Sequence, residues 1–291
     1  MGSSFDSGPY SFGTLLGRYE RRTVVLPRFQ RGYSWEKSQV STFWNDLVGF
    51  EKLYSANPVS ASYFLGPIVT QESDTEIVLL DGQQRLATAT IFLAVLRNIA
   101  RTLDQPGEHS GGDFARDIQA ELIEKEGKIA SYALRLGELD EEFFQKNIQE
   151  DSSKPKTKPT LRSHKNILSS YTYLHDAVLP LLTSKSPSEA VELLKSFKNC
   201  LVTGLTMVAI KVQAEEDAYR IFETLNDRGL RLSVPDLLLN LLMRRSADDT
   251  QRNLVRQKWN YMLGQMGRRD ISRFLRHMWF TLLVINAWVL K

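Results

Sequence analysis

Asp81-Gly82-Gln83-Gln84-Arg85 packs a carboxylate, two carboxamides and a guanidinium into five positions, between an apolar run at 76–80 and a second apolar run from Leu86. If the first run is a strand and the second a helix, the five residues form a helix entrance. There the backbone N–H groups are unpaired and the helix dipole favours an anion. Gly82 lets a ligand approach the main chain, and Arg85 can fork onto phosphate oxygens. Asp81 can hold Mg2+ or polarise a water, and Gln83 and Gln84 can orient that water for attack. A plain helix cap competes for the same residues: Asp81 then accepts main-chain hydrogen bonds and Arg85 lies on the surface.

A second junction, Leu26-Pro-Arg-Phe-Gln-Arg-Gly-Tyr-Ser-Trp35, supplies donors from Arg28, Gln30 and Arg31, and flat faces from Phe29, Tyr33 and Trp35 on which a base could stack. Tyr33 and Trp35 read equally as core anchors of the helix that follows. In a third segment, Phe222 to Ser233, Asn226 and Arg228 stand at a helix end that Gly229 would close in the left-handed conformation, and a capped helix end accounts for most of those residue types. No GxxxxGK[ST] loop, HExxH pair, nucleophile elbow or His/Asn/His cluster occurs, so nucleotide chemistry would need another cradle.

These junctions need elements to hold them, and hydrophobic periodicity supplies candidates. Thr23 to Leu26 reads as a strand stopped by Pro27, and Val40, Phe43, Trp44, Leu47 and Tyr54 keep a helical period. Tyr63 to Thr70 and Glu76 to Leu80 read as a hairpin, and Leu86 to Leu103 as a helix apolar nearly all round, hence central. Phe114 to Gln149, Lys165 to Leu182 and Ser188 to Phe197 read as helical, with a Lys/Pro-rich separator at 151–160. A strand at Thr206 to Gln213 turns Val208, Ile210 and Val212 to one face, and the remainder is helical. The expected organisation is an α+β unit at 1–105, a helical insertion at 106–200, a return strand at 201–213 and a helical lobe at 214–291.

With 42% hydrophobic residues in 291, the chain can bury a core. One cysteine, Cys200, allows no internal disulfide, and four scattered histidines give no zinc spacing, which points to a reducing, cytoplasmic setting. No signal peptide is read at the Gly/Ser-rich start, which resembles a cloning remnant. The run from Met278 to Leu290 is too short to span a bilayer and reads as a core helix. Because the sequence stops one residue later, it reads as cut short. The net charge of +3 is unevenly spread: Arg244 to Arg276, with Arg244 and Arg245 at its head, holds nine basic against three acidic residues, and Arg18 to Lys37 holds six against two. Either stretch could follow a phosphate backbone or be an ordinary solvated face.

The three motifs together, LPRFQRGYSW, DGQQR with the preceding FLGPIV strand, and FETLNDRGLRLS, resemble the N-terminal domain of the GmrSD-type, DGQQR-motif family, over roughly Leu16 to Asn240. That family includes modification-dependent restriction enzymes and phosphorothioate-sensing antiphage factors. The resemblance implies a ParB/sulfiredoxin-like α+β fold with helical additions, hydrolysis of GTP or ATP with Mg2+ at the DGQQR loop, and recognition of modified double-stranded DNA. It implies a C-terminal HNH nuclease domain that this sequence lacks, so cleavage is not expected of this chain.

By motif, Asp81, Gln83, Gln84 and Arg85 are the expected catalytic residues, with Asp81 also the metal ligand. Gly82, Arg85, Gln30, Arg31 and Asn226 are expected to bind nucleotide, and Phe29, Gln30, Arg31, Tyr33, Arg244 and Arg245 to bind DNA. Phe29 stands where tyrosine is commoner, which keeps stacking and loses a hydroxyl. Three rivals remain: a DNA-binding module without catalysis, a metal-dependent nuclease using Asp81, and an interaction scaffold. The sequence leaves open the modification sensed, the preferred NTP and whether the chain forms a homodimer.

Overall fold

The structure, a computed structural model, describes residues 6–17, 22–27, 30–58, 61–104, 110–125, 131–150, 157–212, 238–239, 242, 246, 248–266, 274–275 and 278. Strands are β1 (Asp6–Ser11), β2 (Thr23–Val25), β3 (Tyr63–Glu72), β4 (Glu76–Asp81), β5 (Glu124–Lys125), β6 (Ser131–Tyr132), β7 (Leu134–Arg135) and β8 (Leu205–Lys211). Helices are α1 (Phe12–Leu16), α2 (Lys37–Ala56), α3 (Gln83–Thr102), α4 (Ser110–Ile118), α5 (Glu141–Phe144), α6 (Arg162–Leu182), α7 (Pro187–Asn199) and α8 (Asp249–Met266). The class is α+β and helix-dominated, as expected.

Six strands form one mixed sheet in the order β1-β8-β3-β4-β2-β7. β3 and β4 form the expected antiparallel hairpin, β8 returns between β1 and β3, and β8–β3, β4–β2 and β2–β7 are parallel pairs. Contacts divide the chain into two compact units. The first comprises Met1–Arg28 and Gly32–Tyr219, the second Phe29–Arg31 and Arg220–Lys291. In the second, α8 buries Trp259 and leaves Leu254 and Tyr261 exposed, and Asp248 Oδ1 accepts the Gln251 N–H at 2.8 Å near its start.

One local expectation, the helix at 114–149, is corrected. Within the Gly/Ser-rich start, β1 pairs along its whole length with β8. Pro9 is tolerated there because β1 is an edge strand with one row of backbone groups unneeded by the ladder. The expected helix at 114–149 is broken into α4, a π-helical turn at Gln119–Ile123, the β5–β6 pair, β7, α5 and a second π-helical turn at Gln145–Gln149. Ala133, Leu134 and Leu136 are buried there, so tertiary packing overrides helix propensity. In β8, Val208 and Ile210 share one face, as their alternation requires, and are half-buried there, while Leu205, Met207 and Ala209 on the other face join the helical core.

α3 is central, as its all-round apolarity requires. Trp44 of α2 packs edge-on against Phe92 of α3 and stacks on Phe197 of α7. Arg97, on α3, lies inside at 0% exposed. Its guanidinium donates to Gln119 Oε1, to the carbonyls of Ile148 and Gln149 at 3.0 Å each, and to that of Glu150 at 3.4 Å. A π-helical turn displaces carbonyls from the regular ladder, and Arg97 takes them up. Among the described residues no helix is long and apolar enough to cross a membrane.

Candidate functional site at the entrance to the central helix

β4 ends at Asp81, and Gly82 turns the chain into α3 with φ +101° as its N-cap. Glycine brings no capping side chain, and the first in-helix bond runs from the Leu86 N–H to Gly82 O at 3.1 Å. The N–H groups of Gln83, Gln84 and Arg85 therefore have no intrahelical acceptor. A Cβ at Gly82 would lie 2.5 Å from Ile68 Cγ2. The glycine thus serves close packing of the β4–α3 corner on β3, and the expected open approach over its α-carbon is taken up by Ile68.

Arg85 is turned inward. Its guanidinium donates to Pro67 O at 2.6 Å and Leu65 O at 3.2 Å, and meets Asp81 Oδ2 at 3.4 Å. Burial lowers its pKa and the Asp81 carboxylate opposes that shift. With three of its five N–H donors spent on the protein, Arg85 braces β3 against the helix entrance, which leaves two donors for the expected phosphate contact. The carbonyls it holds flank Gly66, whose φ is +119° and whose missing Cβ leaves room for Arg85 Nη1. Gly66→Ala forces both a left-handed alanine and a clash with the guanidinium. It is expected to cost about 2–4 kcal/mol, read from the urea midpoint; a loss within ~0.5 kcal/mol, the ordinary surface range, would dismiss the brace.

Gln84 is also committed. Its Oε1 accepts the N–H groups of Ser34 at 2.8 Å and Trp35 at 3.3 Å, and its Nε2 reaches Gly32 O at 3.5 Å. Its carboxamide oxygen is thus taken by two main-chain donors. It ties the end of the LPRFQRGYSW segment to the DGQQR segment. Tyr33, expected on DNA, is 4% exposed, and its hydroxyl bonds Thr88 Oγ1 at 2.8 Å and Ser170 Oγ at 3.0 Å. Burial pushes its pKa up to about 12. It is a strut between the loop, α3 and α6. Trp35, half-buried, packs against Phe43 with centroids 6.4 Å apart.

Asp140 escaped sequence reasoning. Its Oδ2 accepts the Tyr33 N–H at 2.6 Å, and its Oδ1 accepts the Ser163 hydroxyl. Burial raises its pKa, opposed by the Ser163 hydroxyl, the Tyr33 N–H and His164. At 107 residues from Tyr33 and in no motif, it carries no local signal.

Asp81 is 31% exposed beside Arg85, and Gln83 Oε1 is buried without a hydrogen-bond partner. Gln30 and Arg31 group by contact with the second unit. Phe29, Asn226, Arg244 and Arg245 lie outside the described residues. Within the basic stretch at 18–37, Arg22 is engaged by Glu72 at 2.8 Å. Among the described residues no group of three or more His, Cys, Asp or Glu could hold a metal, so a cation here would have one protein carboxylate.

The sequence pattern of the family described as GmrSD restriction endonuclease, N-terminal domain, matches residues 12–243. No curated protein matches the chain.

Proposed function

Because the chain belongs to the N-terminal domain family of the GmrSD restriction endonucleases, we propose that it is the nucleotide-hydrolysing, modified-DNA-sensing module of such an enzyme. The observation that carries this reading is the uncapped start of α3, three N–H groups without an intrahelical acceptor, flanked by a half-exposed carboxylate and an unpartnered carboxamide oxygen. An NTP triphosphate suits that field.

Mg2+ fits the donor set, because this ion is ordinarily held by one or two carboxylates with phosphate oxygens and waters completing the octahedron. Asp81 would be its protein ligand, and the ion would neutralise charge on the transferred phosphoryl group. Gln83 Oε1 accepts a hydrogen bond from the attacking water and so aligns it. Gln84 and Arg85 keep that geometry by fastening the entrance of α3 to the Gly32–Trp35 loop and to β3. Double-stranded DNA lies along the basic stretch 244–276, its modification altering NTP turnover, and an HNH domain outside this sequence cuts.

Phosphate release from ATP, GTP, CTP and UTP, each with and without unmodified, phosphorothioated and glucosylated DNA, tests the reading. Magnesium-dependent release that one of these DNAs changes is the expected result; no release under any condition refutes it. A second reading draws on the internal commitment of Gln84 and Arg85, which leaves few groups for catalysis: the same helix start grips DNA phosphate without hydrolysis. It expects DNA affinity to fall steeply with salt and no phosphate release.

A further inference from the structure

The first half of β3 pairs with β8 alone, β4 joining it from Val69, and its second residue, Phe64, is 58% exposed. The pairing register explains how. Gly66, Pro67, Ile68 and Val69 pair in step with Met207, Val208, Ala209 and Ile210, but Phe64 pairs with Thr206, so Leu65 is an extra residue bulged out of the ladder. Met207 and Ala209 are core-facing, which puts Gly66 and Ile68 on the core face. In a strand without the bulge, Phe64, two residues before Gly66, would share that face. The inserted residue reverses it and turns Phe64 to the face that carries Val69 and its partner Asp81.

The bulge is held from the site itself. Arg85 takes the carbonyls on both sides of Gly66, Leu65 O and Pro67 O, so the first turn of α3 fixes the backbone that aims Phe64. A single exposed phenylalanine is ordinary on a protein surface. Here the ring is aimed by a bulge that a motif arginine pins. Three residues separate Phe64 from Pro67, whose carbonyl Arg85 holds, so the two α-carbons lie roughly 10 Å apart at strand spacing, a span that a nucleoside triphosphate can bridge.

We propose that Phe64 is the platform on which the base of the bound nucleoside triphosphate stacks, with the triphosphate at the start of α3. This rests on the nucleotide reading above and adds the base-binding residue. A phenyl face stacks on any base, so it supplies affinity with little choice among bases, and discrimination must come from elsewhere.

Calorimetric titration of wild type, Phe64→Ala and Phe64→Tyr with GTP, ATP and inorganic triphosphate, all with Mg2+, separates the outcomes. The expected result is an NTP affinity about tenfold or more lower in Phe64→Ala, restored in Phe64→Tyr, with inorganic triphosphate bound equally by all three. Equal NTP affinity in wild type and Phe64→Ala overturns the stacking role while leaving the phosphate site standing. An equal loss for NTP and inorganic triphosphate overturns it as well, since the substitution would then act through the bulge. If wild type binds neither NTP nor triphosphate, the nucleotide site itself falls. Matching melting temperatures of the three proteins confirm that the fold is intact.

Discussion

On the proposed reading, Asp81→Asn is expected to lower magnesium-dependent phosphate release at least about a hundredfold while leaving the melting temperature near that of wild type. A lost metal ligand removes several kcal/mol of charge stabilisation from the transition state, which translates into a fall of about a hundredfold or more in turnover. Asparagine is the informative substitution. Asp81 also meets Arg85 at 3.4 Å, so alanine would disturb the brace on β3 and mix a structural effect into the rate. Asparagine keeps an oxygen for the guanidinium and loses the charge that the cation requires. The pair is partly exposed, so its ionic part adds little to stability. Turnover by Asp81→Asn at the wild-type rate, with unchanged magnesium dependence, would remove Asp81 from the chemistry and favour the non-catalytic reading.

Arg97→Met destabilises the protein by about 3–5 kcal/mol, a cost typical of breaking a buried charged network. Methionine fills most of the volume but donates nothing. The carbonyls of Ile148, Gln149 and Glu150 and the Gln119 side chain would lose a shared donor in the interior, and each unsatisfied group costs about 1–3 kcal/mol. Against a total stability of roughly 5–15 kcal/mol, such a loss is visible as a large drop in the urea midpoint. Arg97→Lys recovers only part of it, because an ammonium cannot span acceptors on two π-helical turns as a planar fork does. A change below ~1 kcal/mol in Arg97→Met would show that the segments at 119–123 and 145–149 are held by apolar packing alone.

Two of the three arginines of α3, Arg85 and Arg97, show how far residue type predicts role. Arg85 reads as a phosphate ligand at a helix start, whereas nothing in the sequence singles out Arg97. In the fold both are internal donors to main-chain carbonyls, Arg85 to β3 and Arg97 to the second π-helical turn. Within the motif at 81–85, Gln84 is fastened to the Gly32–Trp35 loop and Arg85 to β3, while Gln83 Oε1 is buried without a hydrogen-bond partner.

What could be read along the chain was whatever depends on neighbours in sequence. The β3–β4 hairpin, the all-round apolar α3 and the co-occurring motifs follow from periodicity and local chemistry, which act over a few residues. Long-range partners could not be read in this way. Asp140 meets Tyr33 across 107 residues, β1 becomes a strand only because β8 supplies its ladder, and the segment at 114–149 abandons its helical pattern to complete a sheet edge and enclose Arg97. The bulge that turns Phe64 outward exists because Arg85, 21 residues later in sequence, grips the strand on both sides of it. In each case the local preference is worth less than a buried donor or carbonyl left unsatisfied, and whether a buried group finds its partner is settled when distant segments meet.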